Sequence, residues 1–299
     1  MNEELIRSLS VREVPYAYRL LRQPNRVTEP ALVLGGALQG MYGWPQMEEE
    51  LGPVTDVVTA DLPGMGSAGP LPPGPSMEVL CAAILGVIDD LGASRINLFG
   101  FSYGAGIAFS CAQRFPERIA RLVLGGVPAD VGDVQVHAWQ RAAEHLSHGD
   151  TAAFATRAAE GLLCLDERRY VTRRKLAFRY VRRAMLQAAL HSPHAVDSLR
   201  RALTDRPDFA GGLPGIPTLV FSGEHDTVTT PDRQRAFAAT LADSRFLTIP
   251  DTDHWVVLER PQEVAELTAR FFTDGPLETA PALAPVAREG RAEGDPACV

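Results

Sequence analysis

The sequence predicts an α/β protein: a parallel sheet with helices on both faces, interrupted by a block of helices. Three observations carry this. Short, near-continuous apolar runs alternate with helix-period segments, the pattern of strands buried on both faces. The alternation stops near residue 130 and resumes near residue 209, with no strand-like run between. The composition, 45% hydrophobic over 299 residues, supports a sizeable core.

The elements follow in order. "ALVLGGAL" (31–38) reads as a buried strand, and "DVVTADLPG" (56–64) as a second, ended by Pro63-Gly64. "SMEVLCAAILGVIDDLG" (76–92) is an amphipathic helix, opened by Ser76 as N-cap and closed by Gly92. "RINLFG" (95–100) is a strand, "AGIAFSCAQRF" (105–115) a helix stopped before Pro116, and "ARLVLGGVPA" (120–129) a strand. The helical block holds "HAWQRAAEHL", "TAAFATRAAEGLL" and "RKLAFRYVRRAMLQAAL". Strands at 217–226 and 244–251 and helices at 230–242 and 260–274 restore the rhythm. The expected organisation is an α/β core over 1–129 and 209–274, a helical cap over 130–208 and a disordered tail over 275–299. The tail is Pro/Ala-rich and aperiodic.

The bulk chemistry excludes several partners. A net charge of −8 and a pI near 5.4 argue against nucleic acid and anionic membrane as main partners. The N-terminal residues carry charges throughout and read as no secretory signal, and no run reaches the length of a membrane span. Cys81, Cys111, Cys164 and Cys298 are widely spaced, which predicts reduced thiols in a cytoplasmic protein. The arginines of 168–183 read as a solvated helix face. The oligomeric state has no readable signal.

Chemistry concentrates at "GFSYG" (100–104). Ser102 falls after a predicted strand and before a predicted helix, the setting of a nucleophile elbow. A serine in such a turn also serves as a simple helix cap, so the motif alone leaves both roles open. A nucleophilic serine needs a base held by a third group. Of seven histidines, five lie in the helical block. His254 follows the last strand, and Asp226 ends the strand before it. Ser102, Asp226 and His254 therefore all sit at C-terminal strand ends, where open α/β sheets bind ligands.

Taken together, "GFSYG", "DLPGMGSA" (61–68), "SGEHDTVT" (222–229), "DTDHWVVLERPQEV" (251–264) and "LGGALQGMYGW" (34–44) resemble the α/β-hydrolase superfamily in its helical-cap branch, over roughly 12–274. The resemblance implies an eight-stranded, mostly parallel sheet. It implies that Ser102 is the nucleophile, His254 the general base and acid, and Asp226 the residue orienting the imidazole, with Asp130 as the alternative acid. It places the oxyanion between the backbone N–H groups of Ala37 and Tyr103. Family members usually carry His-Gly where this chain has Gly35-Gly36, which leaves open what anchors the loop. Gln39 either reaches substrate or supports the loop. Leu38, Met41, Trp44, Phe101 and Trp255 are expected to line an apolar cleft together with Gln39.

The implied activity is hydrolysis of a carboxylic ester or thioester through an acyl-enzyme, with no cofactor and no metal. The expected substrate is a small acyl compound, with a carrier-bound one as a variant. The "GGALQ" loop resembles hydrolases of bacterial biosynthetic, polyketide-type pathways. Other triad chemistries stay open: C–C hydrolysis, perhydrolysis or cyclisation. A non-catalytic binding member of the fold is a further alternative. A serine rather than an aspartate at the elbow counts against dehalogenase and epoxide-hydrolase chemistry.

Overall fold

The computed structural model describes residues 3–285 apart from 38, 73, 75, 192–196, 198–199, 202–203 and 206. Eight strands form one sheet: β1 (Glu3–Val11), β2 (Val14–Arg22), β3 (Ala31–Leu34), β4 (Val57–Asp61), β5 (Ile96–Phe101), β6 (Ile119–Gly125), β7 (Thr218–Gly223) and β8 (Ser244–Ile249). Their order is β1-β2-β4-β3-β5-β6-β7-β8. β2 is antiparallel to β1 and to β4, and the remaining neighbours are parallel.

The two-residue period of the strands sorts the core into two layers. Leu32, Leu98, Leu122 and Val220 face one side, under α2 (Met77–Asp90) and α3 (Tyr103–Arg114). Val33, Phe99, Val123, Leu219 and Phe221 face the other, under α1 (Pro45–Leu51) and the C-terminal helix α9 (Pro261–Phe272). Between β6 and β7 stand α4 (Asp133–Ser147), α5 (Thr151–Gly161) and α6 (Arg174–His191). After β7 come α7 (Pro231–Ala238) and, following β8, the single-turn α8 (Val256–Glu259). Because β3, β5, β6, β7 and β8 run the same way, their C-terminal ends open on one edge of the sheet. Every loop that carries chemistry leaves from that edge.

Three expectations change. The hairpin β1–β2 and helix α1 lie where no element is predicted. The hairpin turns through Arg12 and Glu13, both with positive φ (47° and 68°). Neither is the Asn-Gly or Asp-Gly pair that marks such a turn in sequence. Ser76 makes no cap bond to α2. Its N–H and hydroxyl instead donate to the carboxylate of Asp205. The start of the expected tail is packed: Leu277, Ala280 and Ala282 are buried in the α9 layer. The buried Arg260 donates to the carbonyls of Pro281 (2.9 Å) and Ala284 (2.7 Å). An arginine that needs carbonyl partners, together with three apolar side chains, outweighs the segment's weak composition. The rest of the expected tail, 286–299, lies outside the described residues.

Truncation after Asp274 is therefore expected to destabilise the protein. It exposes the site of Leu277, a burial worth about 1.5–3 kcal/mol, and takes the Pro281 and Ala284 carbonyls from Arg260, which keeps Glu263, at about 1–3 kcal/mol. At a few degrees per kcal/mol, Tm should fall by roughly 5–15 °C. Calorimetry of the truncated chain beside one ending at residue 285 checks this.

Candidate active site

The elbow is built by close packing. A Cβ on Gly100 would lie 2.5 Å from the carbonyl oxygen of Gly104, and a Cβ on Gly104 2.5 Å from that of Gly35. Only glycine lets strand, turn and the loop after β3 approach this closely. Between them Ser102 takes φ 53°, ψ −118°, a strained conformation for a non-glycine residue. Its N–H is held by the carbonyl of Gly125 at 2.8 Å. The turn leaves Ser102 partly exposed and aims its hydroxyl at His254.

The structure brings the three predicted residues together. Ser102 Oγ lies 3.1 Å from His254 Nε2, and His254 Nδ1 lies 2.9 Å from Asp226 Oδ2. A carboxylate only accepts, so Nδ1 carries the proton and Nε2 is free to accept from the serine hydroxyl. Asp226 is fixed on both oxygens. Oδ1 accepts from the N–H groups of Val228 and Thr229 (both 2.8 Å), and Oδ2 accepts from the Thr229 hydroxyl at 2.7 Å. Asp130 does not take part. It is exposed and pairs with Arg233 at 3.2 Å.

Burial pushes the His254 pKa down, and the charge and hydrogen bond of Asp226, with Asp253 behind it, more than reverse this; the net direction is upward. An imidazolium at this position would thus be stabilised. Activity that requires the neutral imidazole should then rise with pH along a limb lying above the ordinary histidine range.

The loop after β3 answers the question of the missing histidine. A Cβ on Gly35 would meet Gln39 Cβ at 2.6 Å and the Trp44 ring at 3.0 Å. Those two side chains fill the space a larger residue would need. Gln39 also anchors the turn: its Oε1 accepts from Gly36 N–H, and its N–H donates to the Gly36 carbonyl, both at 3.0 Å. With Gly36 N–H so engaged, Ala37 is the next donor in the loop, and a Cβ on Gly36 would lie 3.5 Å from Ser102 Cβ. Tyr103 is the first residue of α3, where N–H groups have no acceptor within the helix.

Of the expected cleft residues, Phe101 and Trp255 are buried in the core layer, where the Phe101 ring backs His254 (5.5 Å between centroids) and Trp255 (5.9 Å), so they support the histidine instead of lining an open cleft. Trp44 instead stacks edge-on against Phe99 at 5.7 Å, inside the core layer. Met41 is buried, its N–H bonded to Asp61 Oδ1 at 2.8 Å. These two therefore support the loop, because its tight turn folds them inward. Leu38 lies outside the described residues.

Four residues at the site go unnamed in the sequence reading. Thr229 follows Asp226 by three positions, an Asx-type spacing that marks it. Asp61 holds both the Met41 N–H and Ser67. Asp253 and Glu259 form a buried acidic pair beside His254.

Replacing Gln39 with leucine is expected to lower kcat by about 10- to 10²-fold with little change in KM. The ceiling is the loss of one oxyanion donor, about 10²–10³. Steady-state kinetics on a reporter ester reads the split.

A family model described as "alpha/beta hydrolase fold" matches residues 30–261. A 2-hydroxy-6-oxononadienedioate/2-hydroxy-6-oxononatrienedioate hydrolase of Klebsiella pneumoniae is 25% identical over 269 residues, covering 82% of this chain and 87% of the relative. A 2-hydroxy-6-oxo-6-phenylhexa-2,4-dienoate hydrolase of Comamonas testosteroni matches at the same identity and coverage, 25%, 82% and 87%. Among solved structures, a thermophilic esterase from Thermogutta terrifontis superposes with TM-score 0.71 at 25% identity, covering 88% of this chain and 96% of that one.

Proposed function

The chain belongs to the α/β hydrolase fold family, and on that premise we propose a serine hydrolase that cleaves a carbon–carbon bond in a small 2-hydroxy-6-oxo-dienoate-type ketone. The protein is an enzyme, a hydrolase acting on a small molecule. The observation that carries the mechanism is the continuous relay Ser102–His254–Asp226 at the C-terminal edge of the sheet. The substrate class rests on relatives aligned over 82% of the chain. It replaces the ester or thioester of the sequence reading as the first choice. The polyketide-type pathway finds no support among those relatives and is set aside.

The geometry suits this chemistry. Ser102 Oγ attacks the C6 carbonyl carbon while His254 Nε2 takes its proton. The N–H groups of Ala37 and Tyr103 receive the oxyanion. The C5–C6 bond then breaks. Carbon is a poor leaving group unless its electron pair is spread, so the 2-hydroxy proton must first move to C5; the substrate then reacts as its 2,6-dioxo-3-ene tautomer, and the pair from C5–C6 spreads onto O2 as a dienolate. His254 returns the proton to that fragment. Water, deprotonated by His254, releases the acyl group from Ser102 as a carboxylic acid. The helices α4, α5 and α6 are proposed to form the cap over these steps.

An ester of a small acid is the second reading, favoured by the esterase likeness. Both substrates use the same relay and differ only in the leaving group. Incubation with 2-hydroxy-6-oxo-6-phenylhexa-2,4-dienoate should yield benzoate and 2-hydroxypenta-2,4-dienoate in equal amounts, at a higher kcat/KM than phenyl or p-nitrophenyl esters. Ester turnover without dienoate cleavage overturns the first reading and keeps the second.

A further inference from the structure

The residue before the histidine carries more bonds than its own turn requires. Asp253 is buried, with Oδ1 accepting from the N–H of Trp255 at 2.9 Å. That bond closes the turn around His254. Asp253 Oδ2 leaves the loop and accepts from the N–H of Cys164, at 2.8 Å, in the segment between α5 and α6. The other end of that segment is tied to the same loop, because the Thr172 N–H donates to the Asp251 carbonyl at 2.7 Å. The ring of Tyr180 on α6 lies 6.5 Å from that of Trp255. The span 164–172 is therefore stapled at both ends to the loop that holds His254.

We infer that Asp253 is a positioning residue, whose carboxylate locks the His254 loop to the helical insertion so that the seat of the histidine depends on the seat of the insertion. This rests on the serine-hydrolase reading above. A turn alone needs one acceptor, which asparagine or a backbone carbonyl supplies without a buried charge. Asp253 uses both oxygens, and the second reaches the insertion.

The groups facing Asp253 are Cys164 from the insertion, Glu259 from α8, Asp226 from the loop after β7, and His254 and Trp255 beside it. Among the described residues no cation pairs with it. Burial, then the charge of Asp253, pushes the Glu259 carboxyl up to about 10, so Glu259 is neutral at physiological pH. Burial pushes the Asp253 carboxyl up as well. An anchor bonded on both oxygens therefore sits between insertion and histidine. Displacing the insertion must either break its bond to Oδ2 or drag the turn that carries His254.

The test is the rate of labelling by a fluorophosphonate, in which Ser102 Oγ bonds to phosphorus, fluoride leaves and His254 takes the proton. It is measured against pH on the full chain, with amide exchange of 164–172 read in parallel. In Asp253→Asn, labelling should slow by up to about 10²-fold, the cost of a misplaced catalytic group. The rate inflection should move to lower pH, since one negative charge facing the histidine is gone. Exchange across 164–172 should quicken. In Cys164→Pro the tie is lost from the opposite side and the carboxylate stays. Labelling should slow there too, without the downward shift of the inflection. Wild-type rate, inflection and exchange in Asp253→Asn would overturn the inference alone. So would slowed labelling in that variant with inflection and exchange unmoved, which marks a merely structural residue. Failure of the wild-type chain to label would overturn the hydrolase reading and this inference with it.

Discussion

Replacing Ser102 with alanine is expected to lower turnover by about 10⁶-fold, because the members of such a relay act as a unit. Binding and the oxyanion donors keep only a residual acceleration over water. The fold should be unaffected. The hydroxyl is partly exposed and its one bond partner in the relay is the imidazole of His254. Alanine inherits the same φ of 53°, so it inherits the strain as well. Ser102→Gly separates the two effects. Glycine tolerates that conformation, and backbone strain of this kind costs on the order of 1–3 kcal/mol. Its variant should be as inactive as the alanine one and melt at a higher temperature. Thermal melts with steady-state kinetics on both variants check this. Comparable melting of glycine and alanine variants would mean the elbow stores no strain.

Asp226→Asn should lower kcat by about 10⁴-fold. The side chain keeps its size. However, an amide NH2 group facing His254 Nδ1 would favour the tautomer with its proton on Nε2, where it cannot accept from Ser102. The carboxylate that steadied the imidazolium is also gone. The acid limb of the pH profile should accordingly move down, since Asp226 raises the His254 pKa. Asp130→Asn is the control. Asp130 lies on the surface against Arg233, and exposed pairs of that kind contribute about 0–1 kcal/mol. Its kinetics should match wild type. A large loss on Asp130→Asn with activity retained in Asp226→Asn would reverse the assignment of the acid.

The relay was legible because three separate pieces of local chemistry agreed. "GFSYG" follows an apolar run, Asp226 ends another, and His254 follows the last. Each placement depends only on strand and turn patterns. The parallel strands were equally readable, being buried on both faces and hence apolar throughout. The hairpin β1–β2 was not, because β1 is largely exposed and its turn uses Arg12-Glu13. The packed segment 277–284 escaped for a different reason. Its order comes from Arg260, whose need for acceptors shows only once the chain is folded. The same holds for Trp44 and Met41. Their residue types suit a cleft wall as well as a core, and the fold of the loop alone decides between them. Gln39 stood open between two roles, and a single 3.0 Å bond to Gly36 assigns it to the loop.

The most direct test is peptide mapping after saturating fluorophosphonate treatment of the wild-type, Ser102→Ala and His254→Ala chains. The account predicts one adduct per wild-type chain, on the peptide containing Ser102, with none on Ser102→Ala and almost none on His254→Ala in the same time. An adduct that persists in Ser102→Ala, or that maps to another residue in the wild-type chain, would contradict it.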